Sequence, residues 1–582
     1  MSYNKISEKL KQQFEEIVGK AYCFDEKEII WTYAFGGAIF EREWMPELIL
    51  MPQNAEQVAR VLMLANKKRI PVTPRGTGTS LSAGTQTPYG GIVLELSQMN
   101  KILSMSIHDN LVEVEPGVVC DDLNETLARH GYFFPPDPGS SAVATIGGMV
   151  GNNSGGIQAF KYGVTKNYVL YLEVVLVDGR ILTLGSGVLK SVSSYNLKDL
   201  FIASEGTLGV ITKIGLRIIP LPEKRKLGFF IFDDIDDLIE AVIEIREKGI
   251  VPNLLEFLDK YVMTAVYDYL GGEFKSYPEG NVLLAEIDGK NQKAVEEDFA
   301  MMFDIIIRKN PKFHKIAKTT EEREILIEAR KKNLPALSRL APTICVEDCT
   351  VQLSKFAEVV KKIWEIPDKI NAPNIGVATI AHMEGNLHPT FMLNENIEKD
   401  VKDFERALDY LYKEIVVPAG GTITGEHGIG KIKSPYFESE HGNEVAKLTS
   451  QIKKMFDPHM ILNPGTGKGD SRELKKVKHV RKLKNLSDSI LELNCMRCGF
   501  CTVSCPSRIH YMTEAYSPRG RLSLLNGLVH GEIELNEVIN DIFNACMLCG
   551  LCLIKCPAGV QTFQIFEKTR EIIHRLSKNS TP

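Results

Sequence analysis

The chain has 582 residues, of which 44% are hydrophobic and 25% charged, with a formal net charge of −5. That length predicts roughly two to four domains. The composition is that of an ordinary globular protein, and the charge excludes a surface made for nucleic acid. The N-terminal run MSYNKISEKLKQQFEEIVGK lacks the apolar core of a secretory signal. No stretch of about 18 uncharged apolar residues predicts a spanning helix. A cytoplasmic protein with at most peripheral membrane contact is expected.

In chain order, residues 47 to 73 predict strand, helix, strand: ELIL, then AEQVARVLMLANKKR with apolar residues at helical spacing, then IPVT. A glycine-rich loop follows, PRGTGTSLSAG, from Pro74 to Gly84. IVLEL and LVEVEPG predict two further strands, and EVVLVDGRILTL predicts a hairpin turning at Asp178-Gly179. These segments place a first domain at 1–222. From 223 to 467, strand-like runs alternate with helix-like runs such as DDLIEAVIEIREKG, which predicts a second α+β domain closed by FDPHMILNPGTG. Residues 468–488 form a basic linker, whose stretch 471–484 holds Arg472, Lys475, Lys476, Lys478, Arg481, Lys482 and Lys484 against only Glu473, and a solvated tether is expected. The remainder, 489–582, is a cysteine-bearing domain.

Eight of the twelve cysteines lie in two copies of one pattern, CMRCGFCTVSCP and CMLCGLCLIKCP. Each reads C-x-x-C-x-x-C-x-x-x-C-P, the ligand run of a 4Fe-4S cluster. A zinc site needs four ligands, usually as two C-x-x-C pairs; the third cysteine and the cysteine before proline are surplus for zinc and needed by a cluster. By the usual crossover, Cys495, Cys498 and Cys501 take Cys556 as fourth ligand, and Cys546, Cys549 and Cys552 take Cys505. Forty residues separate Cys505 from Cys546. RGRLSLLNGLV and ELNEVINDIFNAC in this insert are helical in pattern, so a mainly helical two-cluster ferredoxin-like domain is expected. Cys23, Cys120, Cys345 and Cys349 are scattered and read as small buried apolar residues.

PRGTGTSLSAG is not a dinucleotide G-x-G-x-x-G fingerprint, because Leu81 stands where the last glycine belongs. Its bare amides and hydroxyls still suit a pyrophosphate. Two more small-residue segments follow, FPPDPGSSAVATIGGMVGNNSGG (Phe134–Gly156) and ASEGTLGVIT (Ala203–Thr212). In this order the three resemble the FAD-binding domain of the vanillyl-alcohol oxidase class, in particular its glycolate oxidase and D-lactate dehydrogenase branch, over nearly all of residues 20 to 467. The resemblance implies FAD held by Pro74, Arg75, Gly76, Thr77, Gly78, Thr79 and Ser80 of the first segment. It also implies Pro138, Ser140, Ser141, Thr145, Gly148, Asn152 and Ser154 of the second, and Glu205, Gly209 and Ile211 of the third. No histidine precedes His108 and the loop has no cysteine, so the FAD is expected to be non-covalent. SPRGRLSLL (Ser517–Leu525) resembles the stretch between cluster motifs in the iron–sulfur subunits of glycolate oxidase. The cysteine-rich repeats of those subunits do not follow it here, so the final acceptor is expected on another polypeptide: an electron-transfer flavoprotein, a cysteine-rich subunit or a quinone-linked enzyme.

Three stretches of the second domain bear on chemistry: EARKKNLPALSRLAP, AHMEGNLHPTF and GGTITGEHGIGK. Imidazole and carboxylate together suit zinc, manganese or iron. The resemblance implies His382, His388 and Glu426 as ligands of a divalent metal, and His427 as the base. It implies Arg330 as the clamp on a substrate carboxylate, with Arg339 and Asn386 as further substrate contacts. The family pattern H-x-G-D-G-N-x-H spaces its histidines seven apart; His382 and His388 are six apart. Counted along one strand, that shift turns a side chain to the other face, and Glu384 stands at the family's aspartate position. GEHGIGK nearly matches a nucleotide P-loop, but Ile432 follows the lysine and offers magnesium no hydroxyl. The reaction implied is oxidation of a small D-2-hydroxy acid to a 2-oxo acid. Its alternative is an electron-transfer subunit whose second-domain site has degenerated.

Overall fold

A computed structural model describes residues 3–37, 44–395, 397–467 and 495–579. The basic segment 468–488 lies outside the described residues. The predicted strand–helix–strand unit is present. Helix Ala55–Lys68 starts at Asn54, whose side chain accepts from the Gln57 backbone N–H, and it ends on Arg69 at a φ of 52°. Its buried face of Val58, Val61, Leu62 and Ala65 covers the sheet. That sheet runs in the order Cys23–Phe24, Leu48–Leu50, Ile92–Glu95, Val72–Arg75, with its last three strands parallel. A five-stranded antiparallel sheet follows, and the hairpin expected at Asp178-Gly179 joins its strands Val169–Val175 and Ile181–Gly185. Gly179 takes a φ of 85° there, which its lack of a Cβ permits.

The second domain is an eight-stranded sheet with antiparallel pairings throughout. One face packs on the helices Ile235–Glu247, Gln292–Arg308 and Phe356–Trp364, the other on Lys260–Leu270 and Thr320–Lys331. The histidine hairpin is formed by two neighbouring strands of this sheet. The closing segment 457–467 does not stay with this domain. Val72 donates to Ile461 O at 2.8 Å and Asn463 donates to Val72 O at 2.8 Å, extending the first sheet. Buried Lys453 pins the turn through Asp457, Thr207 O and Leu462 O.

The cysteine domain is helical, with Pro518–His530 and Glu537–Asn544 in the insert where the apolar spacing predicts them. It is docked on the N-terminal helix Lys27–Tyr33. Ile29, Ile30, Trp31 and Tyr33 share one core with Leu522, Leu525, Ile542, Phe543 and Phe566. Trp31 donates its Nε1–H to Ser523 O at 3.1 Å, and a Cβ at Gly527 would come within 3.0 Å of the indole. Each large apolar side chain so buried contributes about 1.5–3 kcal/mol, so this domain is held by a core rather than only by a tether. Cys23, Cys120, Cys345 and Cys349 are all buried. Among the described residues no helix is long and apolar enough to cross a membrane.

Candidate active site

One cavity of about 2100 Å³ lies where the three parts meet. Ordinary ligand pockets hold roughly 300–1,000 Å³, so this one has room for a large extended group and a small substrate together. One wall is made of Gly76–Leu81, Pro138–Ala142, Thr145, Gly148, Asn152 and Ser154. A Cβ at Gly76 would lie 2.3 Å from Thr145 Oγ1, so glycine alone lets the loop close on the helix that Thr145 caps. Thr77 Oγ1 donates to Val143 O at 2.6 Å, fixing the loop beside the Pro138–Ala142 segment. Gly139 faces open space, with nothing within 4 Å of where a Cβ would be. A wall of glycines and hydroxyls fits the close approach that a dinucleotide needs.

The remaining expected cofactor residues are not among those lining the cavity. The Arg75 guanidinium lies under Gly78 and over the Tyr33 ring at 5.3 Å. Glu205 turns both oxygens to the amides of Ile429 and Gly430, at 3.0 and 2.8 Å, and so ties the GEHGIGK loop down. Pro74 packs on Gly206, Gly209 lies against Val174 and Phe201, and Ile211 belongs to a strand in the core.

The opposite wall carries Arg330, His382, His388, Glu426 and His427. The six-residue spacing is resolved by a hairpin. Strands Gly376–His382 and Asn386–Leu393 pair without a register break, His382 opposite Asn386 and His388 opposite Ile380. The two histidines stand on different strands, so parity along one strand does not apply; His382 shares a face with Ile380, and hence with His388. The shorter spacing is absorbed in the turn Met383–Gly385, where Gly385 has a φ of 114° and a Cβ would sit 2.1 Å from Val351 O. Glu384, in the middle of that turn, is outside the donor group.

His382 Nε2 and His388 Nε2 lie 3.3 and 3.2 Å from Glu426 Oε1, and one donor atom from each residue falls within 4.8 Å of the others. Burial would raise the Glu426 carboxyl, yet the two imidazoles hold it well below its usual range. Burial likewise pulls His382 down, but the Glu256 and Glu426 carboxylates lift it well above the usual histidine value. A buried carboxylate facing two rings calls for positive charge between them, which a divalent cation supplies. Behind the site, Glu256 accepts from His382 Nδ1 at 2.6 Å and from Arg330 Nε at 2.5 Å, orienting both side chains.

His427 stacks on His388, ring centroids 5.0 Å apart and planes at 17°. Burial lowers it to about 4, so its imidazole is neutral near pH 7. Its loop is wound around one oxygen of Asp348. Oδ2 accepts from Thr424 Oγ1 at 2.6 Å and from the backbone N–H groups of Gly425, Glu426 and His427 at 2.8, 3.1 and 3.0 Å. Burial opposes the Asp348 charge, but Lys433, foremost among its neighbours, keeps it far below the usual range. Asp348, His388 and His427 form a second group of close donors. The Lys433 ammonium, 3.6 Å from Asp348 Oδ2, already supplies the cation there. Asn386 and Arg339 are not brought to the cavity wall. Asn386 accepts from Thr350 Oγ1 at 3.1 Å beneath Gly425, and Arg339 is exposed over the Tyr269 ring at 4.1 Å.

At its far end the cavity reaches Cys495, Cys498 and Cys556. Burial raises the Cys495 and Cys498 thiols, with Cys556 among the neighbours that add to it. A separate small cavity of about 20 Å³ is ringed by Cys505, Cys546, Cys549 and Cys552, with Pro506, Arg521 and Phe566. The two motifs fold alike: Arg497 and Gly499 have φ of 54° and 84°, Leu548 and Gly550 of 50° and 76°. Each thus curls its first three cysteines together, while its last cysteine lies at the other motif's cavity.

Residues 221–466 match the family described as FAD linked oxidases, C-terminal domain, residues 46–185 an FAD binding domain, and residues 493–560 a 4Fe-4S dicluster domain. The chain is 36% identical over 461 residues to the glycolate oxidase subunit GlcD of Bacillus subtilis (strain 168), covering 79% of this chain and 97% of that one. It is 32% identical over 475 residues to a D-lactate dehydrogenase of Anaerostipes hadrus, covering 80% and 98%. Among solved structures, p-cresol methylhydroxylase matches with a TM-score of 0.67 at 17% identity, over 81% of this chain and 99% of that one. The 4-ethylphenol oxidase from Gulosibacter chungangensis matches with 0.65 at 17%, over 82% and 100%. The fold is thus the α+β architecture of vanillyl-alcohol oxidase-type proteins, with a helix-rich dicluster region after it.

Proposed function

From the premise that this chain belongs to the FAD-linked oxidase family of glycolate oxidase and D-lactate dehydrogenase flavoproteins, we infer that it oxidises a D-2-hydroxy acid to the 2-oxo acid. The two electrons then leave one at a time through two 4Fe-4S clusters to an acceptor on another polypeptide. The observation that carries this reading is the convergence of the His382, His388 and Glu426 donors, His427 and the first cysteine motif on one cavity. The same geometry weighs against a degenerate second-domain site, because the hairpin brings His382 to Glu426 despite the short spacing.

Arg330, braced by Glu256, offers its guanidinium to the substrate carboxylate. A divalent metal (zinc, manganese or iron) held by His382, His388 and Glu426 would act as a Lewis acid that lowers the hydroxyl pKa. His427, whose side chain lines the cavity, takes the hydroxyl proton. Gly76–Ser80, Pro138–Ser141, Thr145 and Asn152 would hold FAD without a covalent link, and the chemistry it would supply is that of a hydride acceptor. Asp348 and Glu205 hold the loop of Glu426 and His427 in place from below. Cluster thiolates suit a reducing compartment such as the cytoplasm.

The test is anaerobic. D-2-hydroxy acids added one at a time to the purified protein should bleach the flavin band and then the broader cluster absorbance. Bleaching by none of them, with both cofactors loaded, would leave the electron-transfer reading in its place. Replacing Arg330 with lysine keeps the charge toward Glu256 but loses the planar fork. KM for the acid should rise about 10- to 100-fold, as expected for hydrogen bonds to a charged group. An unchanged KM would take Arg330 out of the substrate site.

A further inference from the structure

The face that the cluster domain turns to the FAD domain is built on buried charge. Glu95 accepts from Tyr33 Oη and, at 2.6 Å, from Arg508 Nη2. Glu514 accepts from Arg519 Nε at 2.6 Å and from Ser517 Oγ at 2.9 Å, while its own N–H donates to Tyr33 Oη at 3.1 Å. Arg75 lies among them, 3% exposed, with an Nη2 that has no hydrogen-bond partner. Among the described residues, three guanidinium groups, Arg75, Arg508 and Arg519, thus face two carboxylates, Glu95 and Glu514, leaving one positive charge in excess. Burying an uncompensated charge costs several kcal/mol, so the excess needs a nearby anion.

Arg519 shows where that anion belongs. Its Nη2 donates to Thr77 O at 2.7 Å in the glycine loop, and its Nη1 to Arg497 O at 3.3 Å in the first cysteine motif. A Cβ at Gly499 would come within 2.7 Å of Nη1, so the guanidinium lies on the motif's own backbone between Cys498 and Cys501. It is 5% exposed and lines the large cavity with Thr77, Cys495 and Cys498. Neutral donors would have sufficed to join two domains. A thiolate-ligated cluster carries net negative charge and gains one more on reduction, and its potential follows the charge and hydrogen bonds around it.

We propose that Arg519 sets the reduction potential of the cluster held by the first motif, raising it so that this cluster takes each electron from the flavin. Each step moves one electron, which the flavin loses and the cluster gains; the hydrogen the flavin took with the pair leaves it as a proton to solvent by the time the second electron has gone. The cluster ringed by Cys505, Cys546, Cys549 and Cys552 then comes second, toward the outside. The proposal rests on the cluster reading of the cysteine motifs, and its test separates the two.

Iron content first establishes that both clusters are loaded; a protein without cluster iron would overturn both ideas. Titration with dithionite and mediators, read by electron paramagnetic resonance, then needs no hydroxy acid. The first cluster's signal is identified by its loss in C498S. R519Q should lower that midpoint by at least a ten-fold change in the reduction equilibrium, about 59 mV for a one-electron couple, with the second midpoint unmoved. E514Q removes the carboxylate that offsets Arg519 and should move the first midpoint up. Midpoints unmoved in both variants, or displaced in the same direction, would overturn the proposal. If R519Q does not retain its first cluster, the sign of the E514Q shift decides alone.

Discussion

H427A is expected to slow flavin reduction by the preferred D-2-hydroxy acid by about 10²–10⁴-fold, the range that general base catalysis contributes, while FAD stays bound. The side chain can be removed cleanly because the backbone of this residue does the structural work. The His427 carbonyl accepts from Ser82 Oγ at 3.0 Å and from Asn152 Nδ2 at 3.4 Å, and its N–H donates to Asp348. Alanine keeps all three contacts, so the loop stays seated on the FAD-side wall. The imidazole itself stacks on His388 and is kept neutral by burial, the form that can accept a proton. Stopped-flow absorbance at the flavin band measures the rate, and flavin released on denaturation measures occupancy. Fast reduction by H427A with full occupancy would remove His427 from the proton-transfer step.

Much of this architecture is legible in the sequence where the information is local. Ligand spacing in the cysteine motifs is a property of a dozen consecutive residues. The helices Pro518–His530 and Glu537–Asn544 announce themselves by apolar period, and the Asp178-Gly179 hairpin by its turn residues. Topology is what the one-dimensional reading lacks. His382 and His388 looked out of phase because they were counted along a single strand, whereas a three-residue turn puts them on neighbouring strands of one sheet face. Glu256 and Asp348 were missed for the same reason, since each acts on residues far along the chain. Glu256 did leave a trace, as the one charge inside the otherwise apolar strand LLEFL. A fully buried glutamate in such a strand needs a partner, and here it has two, His382 and Arg330. Arg75 and Glu205 show the converse. They stand in the right segments, but the fold spends their charge on bracing the loops around the cavity.

C505S is expected to lose the second cluster and keep the first, although Cys505 belongs to the first motif. Iron should fall to about half, as one of two four-iron clusters is lost. Turnover with an external acceptor should cease, while the hydroxy acid still reduces the flavin and the first cluster. The reason is positional. Cys505 directly precedes the helix Pro506–Tyr511, and it rings the small cavity with Cys546, Cys549 and Cys552. Its counterpart Cys556 lies with Cys495 and Cys498 on the large cavity instead. We therefore expect the two motifs to exchange their last ligands, so that C556S reproduces the spectrum of C498S as C505S reproduces that of C549S. Such an exchange would join the two halves of the domain through both clusters, each bracing the other's motif. Should C505S match C498S, each motif would be shown to hold a cluster of its own, and the order of the clusters from the flavin outward would have to be read again.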